Sequence, residues 1–561
     1  MSPAEKSRRH FVQGLAAGTL VLAAGRSVRT GLATMASATA SPGIVPGRIA
    51  TAADGSLLSG TEFALEVSSR EVNFTGNPRQ ATVLNGGIPG PLLYWREGDV
   101  LSLRVSNRLT VPTSLHWHGV LVPADMDGVP GLSFNGIPPG RTFVYRFQVR
   151  QSGTYWYHSH SRFQEQVGLY GPIVIAPRGG ERHAADREHV ILLSDWTDSD
   201  PEHIYRTLKR QSDYFNYGRR TLEDFVADSR KEGVGQTLSE RRMWGSMRMD
   251  PTDLQDVSGY TYTYLLNGLT PQANWTGLFR RGERVRLRII NGSSMSFFDL
   301  RIPGLKLTVV AADGQDVEPV TVDEFRIAAG EVYDVMLEPH EDRPYTIFAQ
   351  SLDRSGYARG TLAPVAGMQA QIPPLDPRPL LSMADMAMGN ADQAPAHFGP
   401  NVDAVAIQPA SRLDDPGVGL RNNGRRVLSY ADLHTLDGPV DGRQAGREIR
   451  LHLTGHMQRY VWSFDGRKFS ESVPLLFRNA ERLRIVLVND SMMAHPIHLH
   501  GMWSEVQSAD GAFLVRKHTT AVQPGQELQY EVTAGALGHW AFHCHLLYHM
   551  EAGMFREVIV A

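Results

Sequence analysis

The chain has 561 residues, 42% apolar and 20% charged, with a formal net charge of −3. That length and composition describe a folded protein of roughly three or four domains and exclude a disordered polyelectrolyte, and the small net charge gives no electrostatic ground for binding nucleic acid. A single cysteine, Cys544, against 21 histidines excludes a disulfide framework and any zinc site that needs several thiolates.

Residues 1–40 read as an export signal. Ser7-Arg8-Arg9-His10-Phe11-Val12 precedes a mildly apolar stretch, and Ala38-Thr39-Ala40 has the form of a cleavage site. Arg8-Arg9 before Phe11 has the pattern of a twin-arginine signal, which exports folded proteins, so a periplasmic location is expected. Folded export also explains how an exported protein manages without disulfides. No second long apolar run follows, so the mature chain is expected to lack a membrane span.

The body repeats one pattern three times, beginning near Leu84, Leu266 and Phe464. Each copy opens on an Asn-Gly or Asp-Gly turn and runs into an alternating segment: VLSLRVSN, VRLRIIN and LRIVLVN. Alternation with β-branched residues predicts strands with one buried face, and short strands between Gly/Pro turns predict all-β sandwich or barrel domains. The expected domains are 45–180, 181–365 and 421–561. Residues 366–420, rich in Pro, Ala, Gly and Asp, read as a surface linker. Residues 201–245 read as a helical insertion in the second domain.

Four motifs carry the chemistry: His116-Trp117-His118-Gly119, His158-Ser159-His160, His495-Pro496-Ile497-His498-Leu499-His500-Gly501, and His543-Cys544-His545 with His549 and Met554 beyond it. In a strand, residues i and i+2 share a side, so each His-x-His offers two imidazoles to one cluster, while Cys544 faces the other way. One Cys, two His and a Met form the ligand set of a blue-copper electron-transfer centre. Spacing repeats between the copies. From Asn107 and from Asn489, histidines fall at +9 and +11 and a glycine at +12; from Gly153 and from Gly538, histidines fall at +5 and +7. Two half-sites of one geometry thus predict an eight-histidine cluster between the first and third domains. The middle copy has Leu300 and Ile302 at the histidine positions and reads as a spacer. The first-copy counterparts of His495, Cys544, His549 and Met554 are Thr113, Ser159, Gln164 and Leu169, so a single thiolate centre is expected.

On these motifs the chain resembles the three-domain multicopper oxidases of cupredoxin fold, and among them the periplasmic copper-resistance oxidases related to laccases. The resemblance implies four copper ions. His495, Cys544 and His549 would hold a type 1 copper with Met554 as weak axial ligand. His116 and His498 would hold a type 2 copper, and His118, His158, His160, His500, His543 and His545 a type 3 pair. It also implies one-electron oxidation of Cu(I) or a phenolic donor near His495 or His549, electron transfer through Cys544, and reduction of O2 to water. The implied protein is a monomer that closes its own cluster and serves copper resistance. A general phenol oxidase and a copper-sequestering protein are the alternatives.

Asp127 matches the family's acid near the type 2 copper and is either a proton relay or a plain Asp-Gly turn residue. Some relatives carry a glutamate directly after the last type 1 histidine; here that position is Met550, with Glu551 one place on. Two methionine clusters stand outside the motifs: Met243, Met247 and Met249 in an expected loop, and Met383, Met386 and Met388 in the linker. They are either accessory Cu(I) ligands or fillers of irregular gaps.

Overall fold

The computed structural model describes residues 49–50, 56–387 and 396–561; the expected export signal lies outside them. Among the described residues six β-sheets carry the fold, in agreement with the all-β expectation, and each sequence copy contributes two. In the first copy, a five-stranded sheet runs Leu57–Ser59, Leu92–Arg96, Tyr170–Ala176, Gly153–His158, His116–His118. A four-stranded sheet runs Arg79–Leu84, Glu62–Val72, Val100–Asn107, Thr142–Gln148. The core between them is built from Leu101, Leu103 and Val105 of one sheet and Trp95, Trp117 and Tyr157 of the other.

The repeated residues do the same work in every copy. Asn85, Asn267 and Asp465 open the turns at φ 50°, 50° and 53°, each followed by a glycine that is also at positive φ. This is the geometry that joins twisted antiparallel strands. Asn107, Asn291 and Asn489 end the alternating strands, and each side-chain amide donates to two carbonyls, Ile137, Ile327 and Val522 among them.

Strand register then sets the histidines. His116 pairs with His158 across the first-copy sheet, and His498 pairs with His543 across the sheet of the third. In the middle copy, Leu300 sits opposite Ala349, and both Leu300 and Ile302 are buried.

The alternation of exposed and buried residues holds along Val100–Asn107 but not along Val285–Asn291, where every residue is buried. Arg286 and Arg288 lie on this strand. They are sealed in by Asp334 and Glu188, and by Glu181 from beyond the first-copy sheet, with Arg286 Nε 3.0 Å and Arg288 Nη1 3.1 Å from Asp334 Oδ2. Buried guanidinium groups are tolerated only with this kind of pairing.

The helical insertion forms three helices, Pro201–Leu208, Leu222–Glu232 and Val234–Met247. Met243 and Met247 therefore lie on a helix rather than in a loop, and they and Met249 pack half-buried against the large core. The linker is likewise not wholly a surface strap, because Leu381 and Met386 are buried in that same core and Met383 packs against it. Met388 lies outside the described residues.

Candidate metal centres

His495 and Cys544 lie on adjacent strands, and His549 lies on the short helix Leu547–Ala552 that follows the second of them. Cys544 Sγ is 3.5 Å from His495 Nδ1 and 3.8 Å from His549 Nδ1, and the two ring nitrogens are 3.2 Å apart. All three residues and Met554 are 0% exposed. The backbone brings Met554 alongside: Cys544 N donates to Met554 O at 3.1 Å, and Met554 N donates to His549 O at 3.0 Å. Burial pushes the Cys544 thiol well up and the His495 ring well down.

The other eight imidazoles meet between the first and third copies. Ligand atoms within 4.8 Å of one another group His118, His158 and His545, and likewise His160, His500 and His543; His116 and His498 group with His118. Each of the first two groups mixes rings from both copies. Burial, reinforced by neighbouring imidazoles, holds His118, His158, His160, His498, His500 and His545 well below the usual histidine range, and takes His543 down to about 4. These rings are neutral and carry lone pairs. Buried Nε2 atoms of His116, His158, His160, His498 and His545 have no hydrogen-bond partner among the described residues. Leaving so many buried nitrogens unpaired is costly unless a metal takes them. Neutral imidazoles beside a separate Cys/His2/Met set suit copper.

Two glycines keep the packing tight. A Cβ on Gly119, at φ +78°, would fall 2.3 Å from the His518 ring, and one on Gly501, at φ +72°, would fall 2.5 Å from Trp540. This is why a glycine follows both His-x-His pairs at +12.

Asp127 lies between the halves. Its Oδ2 is 2.9 Å from His500 Nδ1 and its Oδ1 is 3.3 Å from His116 Nδ1, while its carbonyl is 2.7 Å from His116 Nδ1. It also caps the short helical turn Ala124–Met126, so the turn and the contact with the rings coexist. Glu551 instead pairs with Arg162.

Several supporting residues were not read from the sequence. Asp256, in the middle copy, places Oδ2 2.7 Å from His549 Nε2 and 2.6 Å from the Tyr460 hydroxyl. The middle copy is therefore more than a spacer, although it supplies no imidazole. Trp462 stacks on His549 with ring centroids 4.0 Å apart. His518 accepts from His498 Nδ1 through its carbonyl at 2.6 Å, and its ring lies 4.7 Å from that of His118. Glu165 Oε2 lies 2.6 Å from His158 Nδ1, and burial raises its pKa well above the carboxylate range. Asp256 and His518 sit in no motif. Glu165 had one signal, its distance of five residues from His160.

A β-sandwich scaffold with a Cys/His2/Met centre beside an eight-histidine cluster defines a copper redox protein. Family profiles described as multicopper oxidase match residues 66–180, 187–366 and 443–561. The chain is 54% identical to "Copper resistance protein A homolog" of Pseudomonas syringae pv. tomato over the whole of both chains. It is also 54% identical to "Copper resistance protein A" of Escherichia coli, covering 90% of this chain and 93% of that one. At 31% identity it resembles "Multicopper oxidase MmcO" of Mycobacterium tuberculosis, covering 89% and 88%. Among solved structures, Fet3p, a multicopper oxidase that functions in iron import, aligns with a TM-score of 0.65 at 19% identity over 90% of each chain, a likeness of fold. The chain belongs to the multicopper oxidase family and is an oxidoreductase.

Proposed function

We propose that this protein is an exported, monomeric oxidase, organised as the three domains expected from the repeats, that oxidises Cu(I) with O2 and thereby serves copper resistance. Four copper ions complete it: one held by His495, Cys544 and His549 with Met554 as weak axial ligand, one by His116 and His498, and a pair by His118, His158, His160, His500, His543 and His545. Copper bound there supplies one-electron transfer at the sulfur-bearing site and reduction of O2 to two waters at the cluster. The observation that carries the reading is that the eight rings form overlapping groups of ligand atoms within 4.8 Å, among them His118/His158/His545 and His160/His500/His543, which mix both copies, beside a separate Cys/His2 group.

The chain supplies the wiring. Cys544 is bonded through its own backbone to His543 and His545, so the thiolate and two rings of the cluster are joined without a through-space gap. Asp127, touching one ring from each half, is the acid through which a proton can reach the cluster. Asp256 and Trp462 fix the His549 ring from two sides.

Burial of both type 1 rings favours Cu(I) over bulky phenols as donor. His495 and His549 are both 0% exposed: Trp462 packs against both rings, Asp256 and Tyr460 lie against His549, and the helical insertion is tied to that cover through Lys209 Nζ to Tyr460 O at 2.8 Å. Half-buried Met243, Met247 and Met249 on and just beyond the third helix add thioethers suited to Cu(I). The test is O2 uptake by the four-copper protein with Cu(I) or a bulky phenol as donor. The expected result is faster turnover with Cu(I); faster turnover with the phenol would show an open laccase-type site instead.

A further inference from the structure

One ring of the cluster is supported unlike its counterpart. The first and third copies align over this stretch, so that His158, Ser159, His160, Gln164 and Glu165 stand where His543, Cys544, His545, His549 and Met550 stand. His543 Nδ1 is 2.9 Å from its neighbour's carbonyl, Cys544 O, and Met550 offers it no charge. His158 Nδ1 is 3.3 Å from the matching Ser159 carbonyl but 2.6 Å from Glu165 Oε2. The carboxylate is held on a fixed turn: Gly168 N donates to Glu165 O at 3.1 Å, and Thr82 N donates to Val167 O at 2.9 Å. Glu165 is 3% exposed, and its second oxygen has no partner among the described residues. A buried carboxyl oxygen, whether the group is ionised or neutral, needs a donor to meet, and the His158 Nδ1–H 2.6 Å away is the donor within reach.

We propose that Glu165 is a positioning residue of the cluster: it accepts the Nδ1 hydrogen of His158, fixing the ring so that its unpartnered Nε2 is presented for copper. A carboxyl oxygen accepting behind an imidazole fixes the tautomer and the orientation of the ring as a ligand. The two halves of the cluster therefore grip unequally. The first half carries its support as an acid at the position where the third has Met550. This rests on the reading of His158 as a copper ligand.

The test uses full-length Glu165→Gln and Glu165→Ala proteins beside wild type and His158→Ala. Copper per chain is measured after dialysis against a chelator of graded strength, with electron paramagnetic resonance of the resting protein and the thiolate absorption of the Cys544 site. The expected result is retention of cluster copper weakened about 10- to 100-fold in Glu165→Ala. Glu165→Gln, which keeps an acceptor oxygen, should lose less. An uncoupled copper signal should appear, with the thiolate absorption unchanged. Should the alanine variant fail to fold, the isosteric glutamine variant decides by the same measurements. Wild-type copper retention in both Glu165 variants, with copper lost from His158→Ala, would overturn the positioning role and leave the ligand reading intact. Full copper in His158→Ala would overturn the ligand reading and the proposal together.

Discussion

The first and third copies build one backbone around two very different sites. In the third, Cys544 N donates to Met554 O at 3.1 Å and Met554 N to His549 O at 3.0 Å; in the first, Ser159 N donates to Leu169 O at 3.1 Å and Leu169 N to Gln164 O at 3.0 Å. The side chains part company on this shared frame. Thr113 Oγ1 and Ser159 Oγ both donate to Gln164 Oε1, at 2.6 and 3.0 Å, and Gln164 Nε2 donates to Pro112 O at 2.8 Å. The first-copy set satisfies itself. His495, Cys544 and His549 instead turn two ring nitrogens and a sulfur toward one point. Placing polar groups together does not make a metal site; the first copy brings together two hydroxyls and an amide, the third a sulfur and two imidazole nitrogens.

That contrast can be pressed from both ends. The larger effect is expected where the copies touch, because Asp127 of the first copy supports His500 of the third. Asp127→Asn should keep its full copper complement yet slow O2 reduction by roughly 10- to 100-fold, read by copper analysis and O2 uptake; unchanged turnover would reduce Asp127 to a turn residue. A smaller and purely structural effect is expected at the self-satisfied set. Gln164→Ala strands the buried Thr113 and Ser159 hydroxyls and should cost about 1–3 kcal/mol of stability in denaturant unfolding. Turnover per folded molecule should hold, and a loss of turnover without destabilisation would mean that the first-copy set has a function of its own.

The sequence exposes features that recur and hides those that do not. The turns at Asn85, Asn267 and Asp465, the capping asparagines and the +9 and +11 histidines repeat at fixed spacing, and spacing along a strand fixes which side a residue takes. The all-β fold and the motif histidines were legible for that reason. Asp256 was not, because it reaches His549 across 293 residues from a segment with no motif. The expectation of one buried face fails at Val285–Asn291 for a related reason: strand alternation records that one face meets the core, and cannot record that Glu181 and Thr154 from outside the middle copy cover Arg286 and Arg288 on the other. The methionines at 243 and 247 lie on a helix with little apolar periodicity of its own, in which only Thr237 and Trp244 are buried. Glu165 was in view but unread, since its meaning depends on comparing it with Met550 in the other copy.

Cys544 is the residue that makes one copy unlike the other, and Cys544→Ser places the first copy's residue in the third. The measurement is copper per chain together with visible absorption and O2 uptake. One copper fewer than wild type, no intense thiolate–copper absorption and turnover at background, with the cluster copper retained, is the predicted result. Survival of both the colour and the turnover would contradict it.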